Sequence, residues 1–218
     1  MRQKSTAPGH GGKRRGKRSP GRPRSEQARV AILRSTLHIL MENGFSGLAI
    51  EDVSARAGVG KATVYRWWPT KGELIADAFA SSTTRKLRFP DTGSVNTDMS
   101  RQMRQLVKIL CSRRGRIVSA ILAAGQSDKS VIAAFRERFL KPRRREAYET
   151  LQRGIRRGEL RKHVDLDLLL DSLYGPIYMR FLIQHDRLTA DFVDHLCALV
   201  LGAVRPSRAP SQTRKPQR

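Results

Sequence analysis

The chain has 218 residues, 39% of them hydrophobic, and carries 43 Lys and Arg against 19 Asp and Glu, a formal net charge of +24 at pH 7. That is enough length and apolar content for one medium domain or two small ones with a real core, while two distant cysteines, Cys111 and Cys197, exclude a disulfide framework or a multi-cysteine zinc site and point to a reducing cytoplasm. No apolar run is long enough for a membrane span and the basic N-terminus is not followed by a signal-peptide core, so the positive excess implies a polyanionic partner, either nucleic acid or an acidic membrane surface.

Taken in chain order, residues 1–24 hold nine basic side chains and no acid, are rich in Gly, Pro and Ser, and lack apolar periodicity. Such a segment cannot offset its ordering entropy by burial, and it reads as a disordered basic arm. From Ser25 to Gly44, Val30, Leu33, Leu37, Leu40 and Met41 recur at helical spacing, with Ser25 as N-cap and Gly44 as stop. A short helix fits Glu51–Ala57, where Glu51 and Asp52 favour the helix dipole, and Gly58 ends it. After Gly60 a third helix runs from Lys61 to Trp67 or Trp68; Pro69 breaks it, and a fourth begins near Thr70 and runs towards Arg85. Two short helices joined by a glycine-containing turn and braced by a longer first helix make a helix-turn-helix.

Residues 25–82 are neutral overall, with six bases and six acids, yet Arg56 to Lys71 contains four bases (Arg56, Lys61, Arg66, Lys71) and no acid. In a helix-turn-helix the second short helix enters the DNA major groove, so exposed small, basic or hydroxyl side chains belong there. On spacing alone Lys61 and Arg66 read equally as ordinary solvent-facing residues, and Tyr65, Trp67 and Trp68 as core aromatics.

The run Gly44 to Phe79 resembles the DNA-binding domain of the TetR family of bacterial transcriptional regulators. Gly44-Phe45, Asp52-Val53-Ser54 through Ala57-Gly58-Val59, then Thr63, Tyr65, Trp68, Lys71 and Leu74 stand at the places of that family's pattern. The resemblance implies an all-α fold in which Gly60, Lys61 and Ala62 open a recognition helix facing base edges. It also implies that Thr63, Tyr65, Trp67 and Lys71, with Arg56 and Arg66 nearby, hold phosphates, and that Val53, Ala57, Val59, Val64, Trp68 and Leu74 form core. Ala49 and Gly60 depart from the pattern: each replaces a Ser or Thr and so removes a hydroxyl cap. In the arm, Gly21-Arg22-Pro23-Arg24 looks like the core of an AT-hook, whose arginines Arg22 and Arg24 would lie in a narrow A·T-rich minor groove. The alternative is a solubilising or nonspecifically adhesive arm.

Further helices are expected at about 96–112, 116–126, 129–140, 143–157, 166–183 and 189–204. The stretch Leu166–Ile183 is apolar around most of its circumference, too much for a helix with one face in water. Paired with Phe192, Val193, Leu196, Leu199 and Val200, it suits a homodimer interface built as a four-helix bundle, the alternative being a helix fully buried inside a monomer, and Gly175-Pro176 implies a kink. Its pattern is also similar to one class of TetR-type C-terminal domains, which implies a pocket for a small-molecule effector and release of DNA when it fills. Met99, Met103, Leu106, Leu110, Ile121, Phe135 and Phe139 read as core or pocket lining. The basic runs 141–145 and 153–162 read as solvated helix faces. Nothing fixes metal-ligand spacing among the histidines, and no P-loop, dinucleotide fingerprint or nucleophile elbow is present. No metal, cofactor or catalytic residue is therefore expected. The last segment, 205–218, is a second basic tail without apolar periodicity.

The expected organisation is a basic arm (1–24), a helix-turn-helix domain (25–82), a helical sensing and dimerisation domain (83–204) and a basic tail. The expected function is a cytoplasmic homodimeric repressor of double-stranded DNA, binding a palindromic operator. The competing reading is a basic nucleoid or membrane-surface protein that binds polyanions without sequence preference.

Overall fold

The computed structural model describes residues 25–206, so the basic arm with Arg22 and Arg24, and most of the basic tail, lie outside the described residues. Among the described residues the fold is all-α. The helices are α1 (Glu26–Asn43), α2 (Ile50–Ala57), α3 (Lys61–Trp67), α4 (Lys71–Thr83), α5 (Val95–Leu110), α6 (Arg113–Ser127), α7 (Lys129–Phe135), a π-helical turn (Arg136–Leu140), α8 (Lys141–Arg156), α9 (Leu166–Ile183) and α10 (Ala190–Ala203).

Local chemistry sets the first boundaries. The Ser25 side chain accepts from the Ala28 N–H, and Gly44 leaves α1 at φ 73°, a left-handed angle a Cβ would resist. Ile32, Leu33, Ile39 and Leu40 face the core together with Thr36, whose hydroxyl donates to the Ile32 carbonyl at 2.8 Å and so satisfies itself within the helix. The buried stripe is therefore rotated from the one the apolar residues alone outline, and Val30 is 44% exposed. Gly58, at φ 66°, ends α2 in the left-handed conformation. Thr70 caps α4 by accepting from the Glu73 N–H. Neither Ala49 nor Gly60 offers a side-chain cap to α2 or α3. Val53, Val64, Trp68 and Leu74 are buried as expected, while Ala57 and Val59 are only half-buried against them.

One apolar core runs from α1 and α4 into the bundle of α5 to α10 and takes in all seven of the residues read as core or pocket lining. Helix α4 is the joint: it packs against α1 on one side and against α6, α7 and the π turn on the other. Two expected helices, 129–140 and 143–157, are one continuous run instead. The five-residue π turn takes up the register, and Pro142, which has no N–H to give, follows it in the first turn of α8. Helix α9 continues through Gly175-Pro176.

The basic runs are largely exposed, as expected, but several of their arginines are paired with acids across the fold. Arg144 donates to Asp167 (2.5 Å) and Asp171 (2.6 Å), binding α8 to α9. Arg153 donates to the Pro90 carbonyl (3.1 Å), and Arg157 to Asp91 (3.1 Å) and Glu159 (2.6 Å), which ties the end of α8 to the segment before α5. Their acids lie up to 66 residues away in the chain, so the partnership is invisible to local pattern.

Candidate nucleic-acid interface

Helix α3 is seven residues long, too short to hold itself in water, so its placement is tertiary. Val64 anchors it with no exposed surface, and Trp68, which closes it, is 2% exposed. That anchoring turns Lys61, Ala62, Tyr65 and Arg66 outward together, at the i, i+1, i+4, i+5 spacing of one helical face. No acid lies on this helix, and Tyr65 is 49% exposed. Thr63 is half-buried beside that face. Gly60 opens the helix at φ −74°, with nothing within 4 Å of where a Cβ would stand, so its small size reflects no steric demand in the protein itself.

The cations of the unit are arranged with their own acids. Lys61 Nζ donates to Glu51 Oε1 at 2.7 Å, and both side chains are more than half exposed. This hydrogen bond holds the Glu51 carboxyl below the usual carboxylate range and raises the Lys61 ammonium. Arg56 Nη1 donates to Glu42 Oε2 at 2.8 Å. Lys71 places its ammonium 5.3 Å from the centre of the Phe45 ring, a cation–π contact that fixes it at the start of α4.

Trp67 does not present its indole nitrogen for a phosphate contact. The ring lies 5.9 Å from Trp68 and 6.0 Å from the Arg29 guanidinium, and its nitrogen is buried. Sequence reasoning also missed Asp77. Its Oδ2 accepts from Trp68 Nε1 (3.0 Å) and from Arg29 Nη1 (3.2 Å), joining α1, α3 and α4 at one oxygen. A signal was available: Glu73 and Asp77 stand at i, i+4 on α4, where like charges repel unless a cation meets them.

The arrangement is a short, tertiary-anchored helix packed on α2 with small, hydroxyl and basic side chains outward, the make-up that duplex reading requires. Models of known families match both halves, one described as bacterial regulatory proteins of the tetR family at residues 32–78, the other as a tetracyclin repressor-like C-terminal domain at residues 89–200. The HTH-type transcriptional regulator YdeS of Bacillus subtilis is 38% identical over 193 residues, covering 88% of this chain and 96% of that protein. The chain belongs to the TetR family of bacterial transcriptional regulators. Within that family, the crystal structure of the regulator SCO0332 superposes with a TM-score of 0.75 at 33% identity, covering 83% of this chain and all of that one. The DNA-binding transcriptional repressor TetR of Mycobacteroides abscessus is 28% identical over 149 residues, 68% of this chain and 78% of that protein. As a TetR-family member the chain is a DNA-binding transcriptional regulator and not an enzyme. TetR-family proteins bind DNA, dimerise and bind small-molecule ligands. Among the described residues no helix is long and apolar enough to cross a membrane.

Proposed function

We propose that this protein is a homodimeric repressor that acts in the cytoplasm, binds a palindromic operator through α3 of each subunit, and is released by a small-molecule effector. The observation that carries the DNA-reading part is the acid-free outward face of α3. Lys61 and Ala62 meet base edges there, with Gly60 allowing close approach. Thr63, Tyr65, Arg66, Lys71 and Arg56 hold phosphates, and Arg22 and Arg24 of the arm enter the flanking minor groove. Repression, rather than activation, is taken from the repressor of Mycobacteroides abscessus.

The dimer rests on α9 and α10. One side of α9 is buried through Leu169, Leu170, Leu173 and Ile177. The opposite side exposes Leu168 (65%), Met179, Leu182 and Ile183 (64%), and α10 adds Leu199 (75%). Exposed Ser172 and Gly175 lie between Leu168 and Met179 on the same stripe, so another helix can approach closely there. A contiguous apolar stripe of this kind on a water-exposed surface marks an interface. Its self-complementary partner is the same stripe of a second copy, and the two pairs of helices make a four-helix bundle.

For the effector we assign the domain 83–204, at the cavity between α5, α8 and α9. Leu106, Phe139 and Ala147 supply apolar walls, and Gln102, Arg143 and Tyr174 converge as polar groups. At about 60 Å³ the cavity admits only a few atoms, so a larger effector enters by displacing lining side chains, among which are Phe139 and Leu140 of the π turn.

Selection of bound duplexes from a random library, followed by footprinting on the winner, tests the reading. The expected result is a palindrome whose half-sites are one helical turn apart, about 34 Å, with binding lost in Lys61→Glu or Tyr65→Ala. Equal affinity for every duplex would replace the regulator by a nonspecific polyanion binder.

A further inference from the structure

The recognition helix is held from outside its own unit. Asp77 Oδ2, which receives the Trp68 indole N–H at 3.0 Å, also lies 3.9 Å from Arg138 Nη1 in the π turn. The other terminal nitrogen of Arg138 donates to Glu73 Oε2 at 2.5 Å. One guanidinium thus spans both carboxylates of α4, a reach that suits the planar fork of arginine and not the point charge of lysine. All three side chains are only a quarter to a third exposed, so water screens them less than it screens the pairs on the DNA face.

The neighbouring residue carries the same grip in apolar form. Phe139 stacks on Phe135 (5.0 Å between centres) and meets Phe79 of α4 edge-on (5.0 Å). With Leu140 it also walls the cavity between α5, α8 and α9. Two consecutive residues of the π turn therefore face different clients, Phe139 the cavity and α4, Arg138 the charged end of α4. Turns with this hydrogen-bond register recur at functional sites and are wider than the α-helix on either side, so they can shift as a unit.

We propose that Arg138 and Asp77 are positioning residues for operator reading: the π turn holds the C-terminal end of the recognition helix through the chain Arg138–Asp77–Trp68. A displacement of Phe139 or Leu140 moves Arg138, Arg138 moves or releases Asp77, and Asp77 no longer fixes the Trp68 ring that sets the tilt of α3. Neither residue touches DNA. The proposal rests on the reading of α3 as the DNA-reading helix, and the test separates the two.

Trp67 and Trp68 are the two tryptophans of the chain, so intrinsic emission of the full-length protein reports this joint directly. The variants are Arg138→Gln, Arg138→Lys, Asp77→Ala and Asp77→Asn, the last still able to accept the indole N–H. Arg104→Gln, which removes the ion pair of α5 with Asp194 on α10, controls for loss of a partly exposed pair elsewhere. For Arg138→Gln and Asp77→Ala the expected result is a shifted tryptophan emission and a loss of operator affinity of about tenfold, within the usual range of coupling between sites. Affinity for random duplex of equal length should stay within about twofold, because the phosphate-facing cations are untouched. Asp77→Asn should lie between Asp77→Ala and the wild type, Arg138→Lys should restore part of the loss, and Arg104→Gln should change neither readout. Unchanged emission and unchanged operator preference in Arg138→Gln overturn the proposal. So does an equal loss of operator and random-duplex affinity, which signals general loss of fold. If the wild type itself shows no operator preference, the DNA-reading assignment fails, and the emission of the variants still decides whether the joint exists.

Discussion

Replacing Glu51 by Gln removes one carboxylate from the DNA-facing edge and frees the lysine it holds. Lys61 Nζ sits 2.7 Å from that carboxylate at the first turn of α3, so on the proposed reading a group of the protein already engages this cation in the free state. The pair is exposed and screened, and breaking it costs little. Its larger effect is on the net charge brought to the duplex. Each phosphate neutralised steepens the dependence of log affinity on log salt by about 0.9 for B-form DNA. One extra effective cation per head, two per dimer, steepens it by about 1.8 and, between 50 and 200 mM salt, adds about a twelvefold further loss of affinity. At the low-salt end Glu51→Gln should therefore bind random duplex more tightly than the wild type, while its preference for operator narrows. Fluorescence anisotropy with an operator and a shuffled duplex across that salt range measures both. An unchanged salt slope on the shuffled duplex would refute the idea that Glu51 shields Lys61 from phosphates.

Ala49→Ser supplies the cap that α2 lacks and should raise stability by about 1 kcal/mol in urea unfolding. Gly154→Ala places a Cβ 2.8 Å from Val95 Cβ. The overpacking costs about 1–3 kcal/mol, offset by about 1 kcal/mol of helix propensity, and Val95→Ala in the same chain should relieve it. Ile183→Arg with Leu199→Arg should leave the helical circular dichroism intact and give a monomer by sedimentation. Burial pushes the Cys197 thiol up to about 12 and the Tyr178 hydroxyl up to about 12 from their usual 9.0 and 10.0. The unfolded chain releases these protons first, so their stabilisation is complete below about pH 9 and is lost as pH rises towards 12. In native buffer a thiol reagent should label Cys111, which is exposed, and reach Cys197 only on unfolding.

The start of α1 and the ends of α1 and α2 were legible because each is set by chemistry within a turn: the Ser25 cap and the left-handed Gly44 and Gly58; α9 was legible from its apolar run, and the structure adds an Asp165 cap that accepts from the Leu168 N–H. The outward face of α3 was legible only through the family resemblance, since spacing alone left Tyr65 and Trp68 alike as core aromatics; the fold buries Val64 and Trp68 and exposes Lys61, Ala62, Tyr65 and Arg66. The π turn was not legible, because five residues are too few for a period of 4.4 to be told from 3.6. The burial of the Trp67 nitrogen was not legible, because an aromatic ring at a surface position packs wherever a neighbour allows, here near Trp68 and Arg29. The partners of the α8 arginines were not legible, for a physical reason of another kind. An acid that pairs with a charged run can be delivered by the fold from a distant segment, as Asp91 is to Arg157, 66 residues away.

The bare stripe of Leu168, Met179, Leu182, Ile183 and Leu199 bears on dosage. A single chain offers one reading head, and a palindrome rewards two held at fixed separation. When chains are scarce, paired heads accumulate with the square of chain abundance, so halving synthesis removes about three quarters of the competent readers. If the stripe pairs the subunits as proposed, the steepness of the genetic response depends on five apolar side chains far from the DNA-reading helix.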